Sequence, residues 1–159
     1  MITIRKTITV DAPASRIYEF MTTPENLPEI WPSMIEVSNV KRAADGVHSF
    51  DWVYKMAGLR FQGRSETTEV ALNDHYVIKN EKGIPSTFRW TFAGENGHTK
   101  VTMECQYEIP SKLLEKLARP FVERQNEHEA GVVLQNLKAR MELGQATGKT
   151  VDPRAMPRA

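Results

Sequence analysis

Four side chains of types that transfer protons lie in segments with a predicted buried face: His48, Glu69, Glu123 and Glu127. A carboxyl group inside an aromatic cavity has its pKa raised by desolvation, toward the range useful for proton transfer. Cyclisation or dehydration of a bound hydroxyketone needs little more than one such base and a cavity that folds the substrate. The spacing favours none of the four, so acid–base catalysis stands as the alternative function.

The sequence lacks the residue spacings that are typical of metal sites and of nucleophilic catalysis. His48, His75, His98 and His128 include neither an i, i+4 helical pair nor a His-x-His sequence. Cys105 is the only cysteine, which excludes an internal disulfide, and its place in an alternating apolar stretch predicts an inert thiol. The chain has no Gly-x-Ser-x-Gly elbow and no glycine-rich phosphate loop. We therefore expect no metal and no cofactor.

Aromatic side chains recur at alternate positions along several predicted strands, which places them on one face of a sheet. Any single one of them is explained by core packing, but the whole set is typical of a small-molecule cavity. Trp52 and Trp90 matter most, because a buried indole needs a partner for its N–H and gives a cavity a fixed donor. The set comprises Phe50, Trp52, Tyr54, Phe61, Phe88, Trp90, Phe92 and Tyr107.

A polar stretch, 122–129, precedes the apolar face of the last predicted helix. Residues spaced three and four apart lie on one side of a helix. Counted back from the apolar face, this spacing reaches Glu123, Asn126 and Glu127, so we expect their side chains to face the sheet. Either they orient the oxygen atoms of a ligand at the mouth of a cavity, or they belong to a solvated overhang. Asn126 is the best candidate, because an amide donates and accepts without the cost of burying a charge. The apolar face itself consists of Ala130, Val133, Leu134, Leu137 and Met141.

The elements that must position these residues follow from hydrophobic periodicity. A strand over 2–10 precedes a short helix over 13–22 and a second one within 25–30, among Pro24, Pro28 and Pro32. One long helix is predicted over 112–144, bent at Pro120. Lys6 lies on the apolar parity of the first strand, which makes it a candidate cation of the cavity with Glu69 as its candidate partner. Six further strands are predicted over 34–42, 49–56, 59 to the break at Asn73, 75–81, 87–92 and 101–109.

Composition and charge are those of one ordinary globular domain. The chain has 159 residues, 40% hydrophobic and 26% charged, with a net charge of +1. No overall positive field draws it to nucleic acid, and no apolar run is long enough for stable membrane insertion or a signal peptide. We expect a cytoplasmic protein with one ligand-binding domain, 1–144, and a flexible tail, 145–159.

The order of elements and several local sequences resemble the START-related lipid-transfer and polyketide cyclase superfamily, which is also called SRPBCC and includes birch-pollen-allergen-like proteins. The resemblance covers residues 1–144. It implies an α+β helix-grip fold, in which a curved seven-stranded antiparallel sheet wraps around a long C-terminal helix, with two short helices after strand 1. The sequences that carry it are Thr9–Pro13, Pro24–Pro28 with Trp31-Pro32, Trp52–Gly58, Thr87–Phe92 and Leu137–Ala139.

The resemblance implies a cavity and an apolar ligand but not a particular reaction. The leading prediction is binding or transport of a lipid, quinone or polyketide-like molecule without catalysis. The alternatives are a polyketide cyclase or dehydratase acting in the same cavity, and an adaptor for a protein partner or a homodimer. Ile30 and Trp31 are predicted to gate the cavity. Its predicted ligand-binding residues are Phe50, Trp52, Tyr54, Phe61, Phe88, Trp90, Met103, Tyr107 and Asn126.

Overall fold

The computed structural model describes residues 1–147, and of residues 144–147 only the backbone. The predicted flexible tail therefore lies outside the described residues, except for 145–147, which continue the last helix. Alternating apolar residues form seven strands, as predicted, with the largest differences in bounds at the sixth and seventh. They are β1 (Ile2–Val10), β2 (Met34–Arg42), β3 (His48–Met56), β4 (Leu59–Ala71), β5 (His75–Asn80), β6 (Ser86–Glu95) and β7 (His98–Tyr107).

All seven strands pair antiparallel in one sheet, in the order β1-β7-β6-β5-β4-β3-β2. The first two strands of the chain therefore lie at opposite edges of the sheet. Helices α1 (Ala14–Met21) and α2 (Leu27–Ile30), with a 3₁₀ turn at Pro24–Asn26 between them, connect these edges. The predicted i, i+3, i+4 set Ile17, Phe20 and Met21 is buried on α1. This arrangement is the predicted helix-grip fold.

The predicted single helix over 112–144 is wrong at its start and at its end. The structure has a one-turn helix α3 (Ser111–Leu114), a break over 115–118, and then helix α4 (Arg119–Thr147). Pro120 is the second residue of α4 and does not bend it. A proline in a helix interior removes a hydrogen bond and crowds the previous turn, whereas in the first turn its missing N–H costs nothing. The chain therefore restarts the helix at Pro120.

Helix α4 covers the concave face of the sheet and is fixed mainly by its second half. Its predicted apolar face is buried as a whole. Three polar contacts add to this packing: Asn136 Nδ2 donates to Ile30 O at 3.0 Å, Lys138 Nζ donates to Thr9 O at 2.8 Å, and the Asp11 backbone N–H donates to Glu142 at 2.8 Å. The buried face consists of Ala130, Val133, Leu134, Leu137 and Met141.

Candidate functional site

A cavity of about 100 Å³ lies between the concave face of the sheet, the α2 segment and helix α4. All but one of the predicted ligand-binding residues line it. The exception is Phe61, which is half-buried, lies opposite Tyr54 near the Ala57–Gly58 turn, and does not reach the cavity. The predicted residues that do line it are Phe50, Trp52, Tyr54, Phe88, Trp90, Met103, Tyr107 and Asn126.

A row of polar side chains crosses the apolar sheet face at one end of β5, β6 and β7. Ser65, Asn80, Ser86 and Tyr107 lie directly opposite one another on β4, β5, β6 and β7. Ser65 Oγ donates to Asn80 Oδ1, Asn80 Nδ2 donates to Ser86 Oγ at 2.9 Å, and Ser86 Oγ donates to Ile84 O at 2.9 Å. Each of these buried groups therefore has a hydrogen-bond partner, as burial requires.

The Trp52 indole is fixed against this row. Its Nε1–H donates to Asn80 Oδ1 at 2.9 Å. The ring lies on backbone that only glycine can provide, because a Cβ at Gly63 would come within 2.6 Å of both the indole and Lys82 O. Gly83, with a φ of +81°, would bring a Cβ within 2.4 Å of Gln62 O. The two glycines therefore set the depth at which Trp52 reaches into the cavity.

Asn126 closes the row from the side of the helix. Its Nδ2 donates to Tyr107 Oη at 3.0 Å, and the pKa of Tyr107 is raised, mainly by burial. The other two residues of the predicted polar set do not line the cavity. Glu127 lies within 3.3 Å of Lys6 Nζ at the rim, and Glu123 pairs with Arg119 at 3.4 Å. Only one polar side chain of the set points inward, because α4 is already turned to bury Val122.

A second polar cluster joins the predicted gate to the helix. Trp31 Nε1 donates to Tyr54 Oη at 3.1 Å, and Tyr54 Oη donates to Glu129 at 3.2 Å. Glu129 also accepts the backbone N–H of Ser33 at 3.1 Å. Burial, followed by the charge of Glu129, raises the pKa of Tyr54, so this phenol stays protonated and keeps donating. Trp31 packs edge-on against Phe88 with ring centroids 5.3 Å apart, which covers the cavity from the α2 side.

His48 is the candidate base that the structure places in the cavity wall. It is 2% exposed, and its Nδ1 lies 2.7 Å from Gly46 O. A carbonyl oxygen can only accept, so Nδ1 carries the proton and Nε2 presents a lone pair. Within residues 1–143, no protein group forms a hydrogen bond with Nε2. Burial lowers the pKa of His48, which keeps the ring neutral.

The other candidates from sequence lie elsewhere. Glu69 faces outward, 2.6 Å from His75 Nε2 and 3.4 Å from Arg89, so the Lys6–Glu69 pair is not formed. A register shift between Thr67 and Glu69 reverses the alternation of inward-facing and outward-facing side chains at this point of β4. Burial raises the pKa of Cys105 to about 12, which leaves its thiol protonated.

Three polar lining residues were not predicted: Asn80, Ser86 and Glu129. Asn80 shares the parity of Tyr76 and Ile78 on β5, and that alternation is a signal that could have found it. Glu129 directly precedes Ala130 of the buried face, where a charged residue is ordinarily assigned to solvent.

An open cleft of about 690 Å³ adjoins the cavity and shares Met56, Asn126 and Glu129 with its wall. It runs between Pro32-Ser33, the β3–β4 turn and the first half of α4. Lys55 and Arg124 contribute positive charge to it. Through the described part of the chain, no group of three or more His, Cys, Asp or Glu residues is placed to hold a metal ion, and no helix is long and apolar enough to cross a membrane.

Comparisons with known proteins bear on both fold and family. Residues 1–142 match the family described as polyketide cyclase / dehydrase and lipid transport. The ZhuI aromatase/cyclase from Streptomyces sp. R1128 has a TM-score of 0.76 at 16% identity, over 94% of this chain and 99% of that one. A START superfamily protein from Mycobacterium smegmatis has a TM-score of 0.71 at 16% identity, over 89% and 97%.

A third solved structure, the Aha1 dimer from Colwellia psychrerythraea, has a TM-score of 0.63 at 15% identity, over 91% of this chain and 99% of that one. No curated protein sequence matches the chain. At these identities the structural likeness shows the fold alone, and the family assignment depends on the match over residues 1–142.

Proposed function

Because the chain belongs to the polyketide cyclase / dehydrase and lipid transport family, we propose that it binds a hydrophobic small molecule between the sheet and helix α4. The single observation that carries this proposal is a mostly apolar cavity with polar groups held at fixed positions in its wall. Small-molecule sites combine these two features, since apolar surface supplies affinity and a few polar groups supply orientation.

The size of the cavity limits what it holds in this conformation. A cavity of ~150 Å³ takes benzene, and a drug-sized ligand needs ~300 Å³ or more. At about 100 Å³, this cavity is smaller than the one that takes benzene, so one small ring or the end of a short acyl chain would fill it and push its wall slightly outward. A longer lipid, quinone or polyketide-like molecule would extend through the wall at Met56, Asn126 and Glu129 into the adjoining cleft. Binding of such a ligand then requires the first half of α4 to move outward.

Native mass spectrometry of the purified protein tests the proposal most directly. We expect a stoichiometric apolar molecule that is released on denaturation and identified by extraction. If the protein is empty, a panel of fatty acids, quinones and aromatic polyketide analogues should include compounds that raise its melting temperature. A protein that is empty and unaffected by the whole panel would refute the proposal and favour the protein-partner alternative.

Catalysis of cyclisation or dehydration is the second candidate, and His48 favours it. A neutral imidazole with a free lone pair in a cavity wall is suited to accept a proton from a bound hydroxyketone. The test is turnover of aromatic hydroxyketones by the wild type and by His48→Gln. A turnover rate that is the same in both proteins would exclude His48 as the base.

A further inference from the structure

The His48 ring is held in one orientation by contacts on several sides. Its Nδ1–H donates to Gly46 O at 2.7 Å, and the backbone N–H of His48 donates to Thr67 Oγ1 at 3.3 Å. The ring stacks on Phe50 with centroids 6.1 Å apart, and it meets Tyr76 edge-on at 5.3 Å. Nε2 therefore cannot turn away to solvent, and flipping the ring would break the bond to Gly46.

The hydroxyl groups near this end of the cavity donate to other acceptors. Tyr18 Oη donates to Asp45 O at 2.7 Å, and Tyr76 Oη donates to Met21 O at 3.4 Å. In the polar row, Ser65 donates to Asn80, and Ser86 donates to the Ile84 backbone. Nε2 of His48 is thus a buried acceptor that receives no hydrogen bond from the described residues.

We propose that the ligand is a hydroxylated apolar molecule, a phenol or an alcohol, whose hydroxyl group donates to Nε2 of His48 inside the cavity. This inference rests on the proposed function, because it identifies the chemical class that the same cavity takes. A ligand O–H supplies the donor that the wall lacks, while the rest of the molecule contacts Phe50, Tyr76 and Trp90. A carboxylate is disfavoured at this position, because it would present lone pairs to a lone pair.

The test compares phenol with toluene, two rings of similar size that differ in the hydroxyl donor. Dissociation constants are measured by NMR titration for the wild type, His48→Phe and a matched control, His98→Phe. His98 lies at the exposed start of β7 and does not line the cavity. We expect the ratio of phenol affinity to toluene affinity to fall about tenfold in His48→Phe and to stay unchanged in His98→Phe.

The possible outcomes separate this inference from the proposed function. If both probes bind the wild type and the ratio is the same in His48→Phe, the hydroxyl inference is overturned and the cavity proposal stands. If toluene binds and phenol does not, the same conclusion holds. If neither probe binds the wild type, the hydroxyl inference is overturned, and the cavity proposal is decided by native mass spectrometry and the ligand panel.

A second measurement needs no variant and covers the case in which His48→Phe does not fold. The ¹⁵N chemical shift of His48 Nε2 reports whether this nitrogen accepts a hydrogen bond. We expect it to move on addition of phenol and to stay in place on addition of toluene. A shift that responds equally to both probes, or to neither, would overturn the inference.

Discussion

Two histidines of the chain titrate in opposite directions because their surroundings differ. Asp74 and Glu69 each lie 2.6 Å from the His75 ring and hydrogen-bond to it, with the bond to Asp74 contributing most, so the pKa of His75 is raised above its ordinary value. His48 has its pKa lowered, because burial disfavours the charged ring. Surface carboxylates raise the pKa of His75, and burial in an apolar wall lowers the pKa of His48.

Stability should therefore respond to pH with opposite signs at these two positions. The stabilisation from His75 is complete below its unfolded pKa of about 6.5 and is lost as the pH rises through the raised folded value. The folded state resists protonation of His48, so stability also falls as the pH drops below about 6.5. Titration of the ring signals by NMR should give a midpoint for His75 above that of His48. A midpoint for His75 below that of His48 would contradict the pKa shifts assigned to the two rings.

Trp52→Phe should lower the free energy of unfolding by about 1–2 kcal/mol, because it removes the donor to Asn80 and leaves a gap beside the polar row.

Gly63→Ala should lower the free energy of unfolding by about 1–3 kcal/mol, because the new Cβ would collide with Lys82 O and the indole. Gly131→Ala is the matched control, since its Cβ meets open space on α4 and should stabilise by up to about 1 kcal/mol. Urea unfolding measures all three, and equal effects at Gly63 and Gly131 would refute the close approach.

At the level of single residues, the alternating aromatic positions could be read from the sequence and the short polar ones could not. A tryptophan on an apolar parity has one plausible destination, which is the core. A serine or an asparagine on that parity is ordinarily assigned to a turn or to solvent. Asn80 is buried because Trp52, Ser65 and Ser86, from three other strands, satisfy its amide. These hydrogen bonds between strands become visible only once the pairing of the strands is known.

Among the elements, helix α4 divides into two halves with different attachments. The half after Glu129 buries five apolar side chains and is bonded to β1 and to the α2 segment. The half before Glu129 places Val122 in the core and otherwise faces the cavity, the cleft or solvent. The sequence predicted the apolar face correctly. It did not predict the break over 115–118, because a proline is compatible with either a kink or a first turn.

Amide hydrogen exchange should reveal this division. We expect amides over 121–128 to exchange roughly tenfold faster than those over 131–138, since local opening requires less buried surface to be exposed. A bound ligand that reaches the cleft should slow exchange in the first segment and leave the second unchanged. Equal protection along the whole helix would show that α4 moves as one rod and would leave the cavity without this opening.

For the molecule as a whole, ligand binding should appear as added stability. A ligand at 100 times its dissociation constant adds about 2.7 kcal/mol, which in a protein of this size raises the melting temperature by about 8 °C. Ala130→Leu is the control, because Ala130 lines the cavity and a larger side chain there would occupy the free space. We expect this variant to fold and to lose the ligand-induced shift in differential scanning fluorimetry. A full shift in Ala130→Leu would place the ligand elsewhere.

The pairing of the first strand with the last has a consequence for synthesis on the ribosome. Ile2 to Val10 pair with Tyr107 to Thr99, so the nascent β1 waits for a partner that is translated about a hundred residues later. At about 5–20 residues per second, that delay is on the order of 10 s. During this time the apolar stripe of β1 has no sheet to join and no helix α4 to cover it. Nascent chains that stall before β7 are therefore expected to need chaperones and to aggregate without them.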